Sequence, residues 1–199
     1  MFTLLEAQGL PERLVGAESR LLGQHAALVP AAFVIPPGYE EGYYRQNNLP
    51  EQLGRLFAPI QPQRIDEDAL EPLCERAQRL VQGYALLDDS VQQLYLALAN
   101  AELSSGEVHL RRPGERRSEG AQPRPPGAEV LHALKRLWAA DWSFEAVLER
   151  LETQGSPGLE ARPVLLLRGE PGQPDPDLAS ELSLRRAWRN SAGLVGLEP

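Results

Sequence analysis

The hydrophobic residues of this chain recur at helical intervals over most of its length. The clearest pattern follows Asp66, where apolar residues return every three or four positions from Leu70 to Tyr84. Asp66 itself is a residue type that caps helices. Similar patterns predict further helices over 3–25 (interrupted near Pro11), 50–57, 88–103, 128–140 and 143–154, and three tyrosines recur at near-helical spacing: Tyr39, Tyr43 and Tyr44.

Three short segments are different from the helical ones: 29–35 and 163–167 are apolar runs, and 107–111 alternates between polar and apolar residues. They are too short for stable helices, contain β-branched residues and are bounded by turn residues, which predicts strands. The strands are far apart in sequence and do not alternate regularly with helices. The pattern therefore predicts an α+β fold, with the three strands in one sheet and the helices over 128–140 and 143–154 packed on it.

Two segments interrupt this pattern of helices and strands. Residues 112–127 are rich in Arg, Pro and Gly, which predicts a mobile loop. Residues 171–199 begin with several prolines and predict a linker followed by a short helix that carries Leu182, Leu184 and Trp188. The expected organisation is one domain over 1–170 and this small appendage.

Composition narrows the class of protein. The chain has 199 residues, 42% of them hydrophobic and 24% charged, which is typical of a globular domain. Its formal net charge of -8 argues against nucleic acid as the default partner, because phosphate binding requires clustered positive charge. A single cysteine, Cys74, excludes a disulfide framework. No secretory signal and no membrane-length apolar run is visible, so we expect a cytoplasmic protein without a membrane association.

The residue types that usually carry chemistry are scattered. The three histidines do not have the spacing of a metal site, Cys74 lies on an apolar helix face, and no glycine-rich phosphate loop occurs. The acidic pairs Glu40-Glu41 and Asp88-Asp89 are explained as helix N-terminal charge. The histidines are His25, His109 and His132. The sequence therefore predicts no catalytic residue and no metal ligand.

One segment has unusual electrostatics. Between residues 111 and 124 arginine outnumbers glutamate, which makes a basic stretch in an acidic protein. Such a stretch attracts an anion, for instance a nucleotide, a nucleic acid or an acidic partner. The alternative is a solvated loop without a ligand. The candidate residues for binding a nucleotide or another anion are Arg111, Arg112, Arg116 and Arg117.

The order of these segments resembles the N-terminal, ATP-grasp-type nucleotide-binding region of phosphoenolpyruvate synthase and pyruvate phosphate dikinase. Val15-Gly16-Ala17-Glu18 is similar to the family's Val-Gly-Gly-Lys, and 29–34 to its Val-Pro-Pro-Gly-Phe-Val strand. Val108-His109-Leu110-Arg111 is similar to the start of its Val-Arg-Ser-Ser strand. Residues 137–143 resemble a Trp-Ala-Ser-Leu-Trp-Ser segment, and 164–168 resemble its later apolar strand. No single motif is specific, and the order of the segments over 10–168 carries the resemblance.

The departures from the family pattern concern its phosphate contacts. Glu18 stands where the family has a phosphate-contacting lysine, and Arg112-Pro113 stand where it has paired serines. Arg111 is the remaining candidate for a phosphate contact. After residue 168 nothing resembles the metal-binding carboxylate half of the grasp, the phosphohistidine domain or the pyruvate-binding barrel. Without these groups phosphoryl transfer loses its main electrostatic stabilisation.

Three functions follow from this comparison. The first is a non-catalytic relative, a pseudoenzyme that acts as a binding or regulatory module with an unidentified protein partner. The second is an ATP-binding subunit of a split phosphotransferase. The third is an unrelated α+β protein that binds a protein or nucleic acid through its Arg-rich loop. We expect the first, with no cofactor and at most weak ATP binding through Arg111.

Overall fold

The computed structural model describes residues 1–158 and 160–199. The fold is α+β, as the sequence predicts. The helices are α1 (Leu4–Gln8), α2 (Glu12–Val15), α3 (Ala17–Gln24), α4 (Pro37–Gln46), α5 (Leu49–Phe57), α6 (Glu67–Gly83), α7 (Asp88–Asn100), α8 (Ala128–Ala140), α9 (Phe144–Gln154) and α10 (Pro176–Glu181). The strands are β1 (Phe2–Thr3), β2 (Ala32–Ile35), β3 (Val108–Arg111), β4 (Ser118–Ala121), β5 (Val164–Arg168), β6 (Gln173–Pro174), β7 (Arg186–Asn190) and β8 (Gly193–Glu198).

The main sheet contains the three strands that the apolar runs predict. Its order is β1-β2-β5-β3-β4, and every neighbouring pair is antiparallel. Strand β5 lies at the centre, and Val164 to Leu167 are buried. The prediction that these three strands share one sheet is therefore confirmed. Among the described residues, no helix has both the length and the apolar character needed to cross a membrane.

Both faces of this sheet are buried, so β2 and β5 read as continuous apolar runs, whereas β3 carries the buried polar residues His109 and Arg111. Side chains that alternate along the strands enter two different cores. Leu166 and Leu110 face a large core built with helices α4 to α9. Leu165 and Leu167 face a second core built with α1, α3, α10 and the C-terminal strands.

The structure corrects the prediction for 171–199. This segment is not a linker with a terminal helix: helix α10 ends at Glu181, and 186–198 form a β-hairpin within a sheet of order β6-β7-β8. The buried residues Leu194, Val195 and Leu197 of β8 belong to the second core. In the hairpin turn, Asn190 Oδ1 accepts hydrogen bonds from the backbone N–H groups of Ala192 and Gly193. The helix prediction assigned a 3.6-residue period to a segment too short to distinguish it from a strand period.

Two further predictions are corrected. Residues 112–127 do not form a loop throughout, because Ser118–Ala121 pair with β3 as strand β4. This strand has almost no apolar pattern, and Arg136 of α8 holds it by donating hydrogen bonds to Glu119 and to the Gly120 carbonyl. Helix α8 packs on β3 and β4 as predicted, whereas α9 packs mainly against α6 rather than on the sheet.

Gly16 fixes the approach of the N-terminal helices to the end of β3. Its φ is 80° and its ψ is 147°, a conformation that side chains rarely adopt. A Cβ atom built at Gly16 would lie 2.5 Å from Cβ of Pro113, so the backbone touches the proline directly. This contact places α3 beside the loop that follows β3.

Replacing Gly16 by alanine should therefore lower the free energy of unfolding by about 1–3 kcal/mol, because both backbone strain and a clash result. Gly42→Ala is the matched control: nothing lies within 4 Å of its added Cβ in the middle of α4. That variant should gain roughly 0.5–1 kcal/mol from helix propensity. Urea unfolding measures both changes, and equal stabilities for the two variants would contradict this account of Gly16.

Candidate functional site: two buried arginine–carboxylate clusters

Two consecutive arginines at the end of β3 point to opposite sides of the main sheet. Arg111 is 3% exposed and Arg112 is 1% exposed. Because successive residues of a strand face opposite sides, Arg111 enters the layer of α3 and β8, and Arg112 enters the layer of α4 and the α8–α9 turn. Each guanidinium is buried and must find carboxylates and carbonyl groups to remain charged.

Arg111 forms a two-pronged ion pair with Glu18 of α3. Its Nη1 donates to Glu18 Oε2, and its Nη2 donates to Glu18 Oε1 at 2.9 Å. Nη2 also donates to the Val195 carbonyl of β8 at 2.7 Å. This parallel geometry is the strongest arrangement available to an arginine and a carboxylate. It connects the main sheet, helix α3 and the C-terminal sheet at one point.

The Glu18 carboxylate also accepts hydrogen bonds from three other groups. They are Arg116 Nη2 at 2.6 Å, the Gly114 backbone N–H at 2.6 Å and the Leu197 backbone N–H at 3.2 Å. The Arg116 guanidinium lies 4.1 Å from the centre of the Trp188 ring, at cation–π distance. The negative charge of Glu18 is therefore surrounded by donors from two distant parts of the chain, residues 111–116 and Leu197 of β8.

These contacts determine the ionisation of Glu18. Burial alone raises the pKa of its carboxyl group, but the charges and hydrogen bonds of Arg111 and Arg116 outweigh burial and lower it. Burial likewise lowers the pKa of the Arg111 guanidinium, and Glu18 opposes that effect. The pair is consequently ionised at neutral pH.

Arg112 forms the second cluster, in the helical layer. Its Nη2 donates to Glu40 of α4 at 3.0 Å and to Asp141 at 2.5 Å, and its Nη1 donates to the Arg162 carbonyl at 2.5 Å. Arg162 in turn donates to Asp141 Oδ1 at 2.7 Å and to Glu115 at 2.5 Å. Arg112 Nε is buried and has no partner among the described residues. One buried arginine therefore faces two carboxylates from different elements.

This sharing affects Glu40 most. The side chain is 2% exposed, and burial together with the nearby Asp141 raises its pKa to about 7, although Arg112 opposes the shift. The pKa of Arg112 itself is raised, because Glu40 and Asp141 outweigh its burial. Glu18 and Glu40 are the carboxylates that pair with the two consecutive arginines, and their pKa values are shifted in opposite directions.

A small cavity lies beside the first cluster. It measures about 80 Å³ and is lined by His109, Arg111, Arg116, Trp188, Val195 and the Pro171-Gly172 turn. His109 is buried and its Nδ1 lies 2.8 Å from the Gly169 carbonyl oxygen. Burial lowers the pKa of His109, and the charges of Arg111 and Arg116 contribute, so the imidazole is neutral at pH 7.

The four arginines predicted as anion ligands do not form one site. Arg111 and Arg116 share the carboxylate of Glu18, and Arg112 belongs to the second cluster. Arg117 is exposed at the edge of a polar cleft of about 590 Å³ that also includes Arg150 and Arg162. No ion pair joins Arg117 to a described residue. The described residues also contain no group of three or more His, Cys, Asp or Glu side chains placed to hold a metal ion.

Sequence reasoning missed the partners of the arginines. Glu40 was explained as helix N-terminal charge, and neither Asp141 nor Arg162 was singled out. The signal for them is indirect: two arginines inside a strand buried on both faces require counter-charges. Nothing local identifies those charges, because Glu18, Glu40 and Asp141 lie 93, 72 and 29 residues from their arginines.

Comparison of the sequence with protein-family models and with curated proteins gives no match. The geometry of the two clusters is therefore the basis for assigning a function.

Removing the carboxylate of the first cluster should destabilise the fold strongly. Glu18→Gln leaves Arg111 buried without its counter-charge, which should lower the free energy of unfolding by about 3–5 kcal/mol. Because the folded pKa of Glu18 is lowered, the wild type should lose this contribution as pH falls below the unfolded value of 4.5.

The matched control is Glu12→Gln, which breaks an exposed ion pair between Glu12 and Arg20. It should change stability by at most about 1 kcal/mol. Chemical denaturation at pH 7 and pH 4 compares the two variants with the wild type. Equal effects of the two substitutions would disprove a special role for Glu18.

Glu40 should show the opposite pH dependence. Its folded pKa of about 7 lies above the unfolded value of 4.5, so the folded state holds an extra proton between these pH values. Wild-type stability from this group should fall as pH rises from 4.5 through 7. Glu40→Gln keeps an uncharged partner for Arg112, so its stability relative to wild type should increase by about 1–3 kcal/mol between pH 5 and pH 8. A constant difference across this range would refute the assignment.

Proposed function

We propose that this chain is a non-catalytic relative of the nucleotide-binding domain of phosphoenolpyruvate synthase and pyruvate phosphate dikinase. In this proposal it is a binding or regulatory module of the cytoplasm and does not transfer phosphoryl groups. The observation that supports it best is the position of Glu18. The resemblance assigns this position to a phosphate-contacting cation, and here it carries the buried anion of an internal ion pair.

The Glu18 carboxylate occupies a set of donors suited to an anionic oxygen. Two guanidinium groups, from Arg111 and Arg116, and the backbone N–H groups of Gly114 and Leu197 all donate to it. These are donor types that proteins use for phosphate. A phosphate ligand would have to displace a carboxylate that is covalently part of the chain and whose pKa is lowered by the same donors. The folded protein thus supplies its own anion.

The space beside this cluster is also too small for a nucleotide. The cavity next to Arg111 measures about 80 Å³, whereas a ligand of nucleotide size needs roughly 300 Å³ or more. The described residues contain no group of three or more His, Cys, Asp or Glu side chains placed to hold a metal ion such as the magnesium that phosphoryl transfer requires. ATP and magnesium therefore do not fit the residues present around Arg111.

A binding role remains consistent with the rest of the surface. The leucines Leu5, Leu87 and Leu96 are 69%, 58% and 60% exposed. Leu96 borders a cleft of about 370 Å³ between the N-terminus and α7, which also includes Phe2 and Phe33. Exposed apolar groups next to a cleft are typical of surfaces that contact another protein. This supports a protein partner more than a nucleic acid, since three of the candidate arginines are already paired.

The isolated protein should neither hydrolyse ATP nor form phosphoenolpyruvate. Calorimetry with ATP and magnesium should show at most weak binding, with a dissociation constant in the range of about 1 mM or above. A phosphate-release assay should give no turnover above the buffer background. Metal-dependent turnover, either alone or on adding a second polypeptide, would contradict the proposal and favour a split phosphotransferase.

The Glu18→Lys and Arg20→Lys variants test whether Glu18 blocks phosphate binding. Glu18→Lys restores the charge that the resemblance assigns to this position, and Arg20→Lys is a conservative change on the same helix outside the cluster. If Glu18 blocks phosphate, folded Glu18→Lys should bind inorganic phosphate more tightly than Arg20→Lys. Circular dichroism establishes that each variant is folded before calorimetry, and identical affinities would argue against the blocking role.

A further inference from the structure

The helical layer contains a second, unrelated cavity of about 430 Å³. It lies between helix α5, the α8–α9 turn and the segment that follows α9. Its volume is within the range of small-molecule sites. The described residues that line it are Tyr44, Pro50, Leu53, Gly54, Phe57, Ala58, Ile60, Trp142, Ser156, Pro157 and Gly158. None of these residues carries a charge, although 24% of the chain is charged.

One face of α5 forms the floor of this cavity. Pro50, Leu53, Gly54 and Phe57 follow the i, i+3, i+4, i+7 pattern that places residues on one side of a helix. Gly54 leaves the floor open, because nothing lies within 4 Å of a Cβ atom built on it. No close approach of another chain segment therefore requires glycine here, although glycine in a helix interior is unfavourable. Its effect is to enlarge the cavity.

Aromatic rings form a rigid wall. The rings of Phe57 and Trp142 are stacked, with centroids 5.7 Å apart and an interplanar angle of 19°. The Arg150 guanidinium lies 5.2 Å from the centre of the Trp142 ring, and Trp142 Nε1 donates a hydrogen bond to the Tyr44 hydroxyl at 2.8 Å. The indole is thus held from several directions, and the wall is formed before any ligand arrives.

Two hydroxyl groups of this cavity have a proton that no described residue accepts. The Tyr44 hydroxyl accepts from Trp142, and Ser156 Oγ accepts from the Gly158 N–H at 3.1 Å. Burial and the nearby carboxylate of Glu40 raise the pKa of Tyr44, so its phenol is uncharged and keeps its proton. Both groups are therefore able to donate a hydrogen bond to a ligand.

From this geometry we infer that the cavity binds an uncharged, mainly apolar small molecule that has an aromatic or cyclic body and a hydrogen-bond-accepting oxygen. A charged ligand would lose its hydration without meeting a counter-charge in the lining. A purely apolar ligand would leave the proton of the Tyr44 hydroxyl without an acceptor, whereas Ser156 is exposed and its hydroxyl can also donate to water. This site is separate from the Glu18 cluster and adjoins the Arg112 cluster, because Tyr44 lies near Glu40.

Two probes matched in shape test this inference: acetophenone, which has a carbonyl oxygen, and cumene, which has none. Titration of each into the ¹⁵N-labelled protein, followed through the indole N–H signal of Trp142, should give saturable shifts. The signal is assigned with Trp142→Phe. The wild type provides a reference ratio of the two affinities, which corrects for the greater hydrophobicity of cumene.

The variants then separate cavity filling from hydrogen bonding. Gly54→Leu fills the cavity and should weaken both probes by at least about tenfold. Gly42→Leu is the control, because it also adds a side chain to an open helix position but lies outside the lining. Tyr44→Phe should lower the ratio of ketone to hydrocarbon affinity about five- to tenfold, the value of one neutral hydrogen bond.

Four results would count against the inference. The absence of saturable shifts with both probes would show that this is not a ligand site. Equal effects of Gly54→Leu and Gly42→Leu would place the probes elsewhere on the protein. A concentration-dependent dimer that Gly54→Leu dissociates, observed by sedimentation, would assign the cavity to a second copy of the chain. If the ratio of acetophenone to cumene affinity stays unchanged in both Tyr44→Phe and Ser156→Ala, the inference that the ligand needs a hydrogen-bond-accepting oxygen is wrong.

Discussion

The buried ion pair of Glu18 and Arg111 is the interaction on which the assembly of the second layer depends. Removing two charges from water costs several kcal/mol for each, and only excellent geometry offsets that cost. The two parallel hydrogen bonds, together with those from Arg116, Gly114 and Leu197, provide this geometry. Since the donors come from distant parts of the chain, the charges are compensated only after the whole layer has assembled.

This pair also solves a backbone problem in the C-terminal sheet. Strand β8 is at the edge of its sheet, and an edge strand has N–H and carbonyl groups without a neighbouring strand. The Val195 carbonyl accepts from Arg111, and the Leu197 N–H donates to Glu18. The ion pair therefore takes the place of a neighbouring strand at these two positions. Gly196 between them allows this approach, because an added Cβ atom would lie 2.2 Å from Arg116 Nη1.

Much of the fold can be predicted from the sequence because its signals are local. The central strands are apolar and short, and α6 and α8 have strong helical periodicity, so each could be placed from its own residues. Strand β4 could not, since Ser118–Ala121 have no strand pattern and depend on Arg136 and on the edge of β3. The β7–β8 hairpin was missed because Trp188 and its neighbours fit a helical period over a few residues.

The candidate site, like the fold, could be predicted from the sequence only in part. The arginines could be singled out from the sequence because they form a basic cluster in an acidic protein. Their environment could not, because the positions of Glu18, Glu40 and Asp141 relative to β3 follow from the tertiary fold. An excess of arginine in a sequence therefore indicates where carboxylates are needed, without showing whether the chain itself or a ligand supplies them. In this protein the chain supplies them for Arg111, Arg112 and Arg116.

Because the chain supplies the carboxylates for its own arginines, the groups that stabilise this fold are not the groups that would bind a ligand. Donors that hold an internal carboxylate contribute to the assembly of the sheet layers, and they cannot exchange it for an external anion without losing that contribution. A ligand site that coexists with such a core must lie where folding leaves space and unused hydrogen-bonding groups. The uncharged cavity beside α5 meets both conditions, because Gly54 leaves it open and the hydroxyl protons of Tyr44 and Ser156 have no acceptor among the described residues. Ligand binding there would leave both arginine clusters intact.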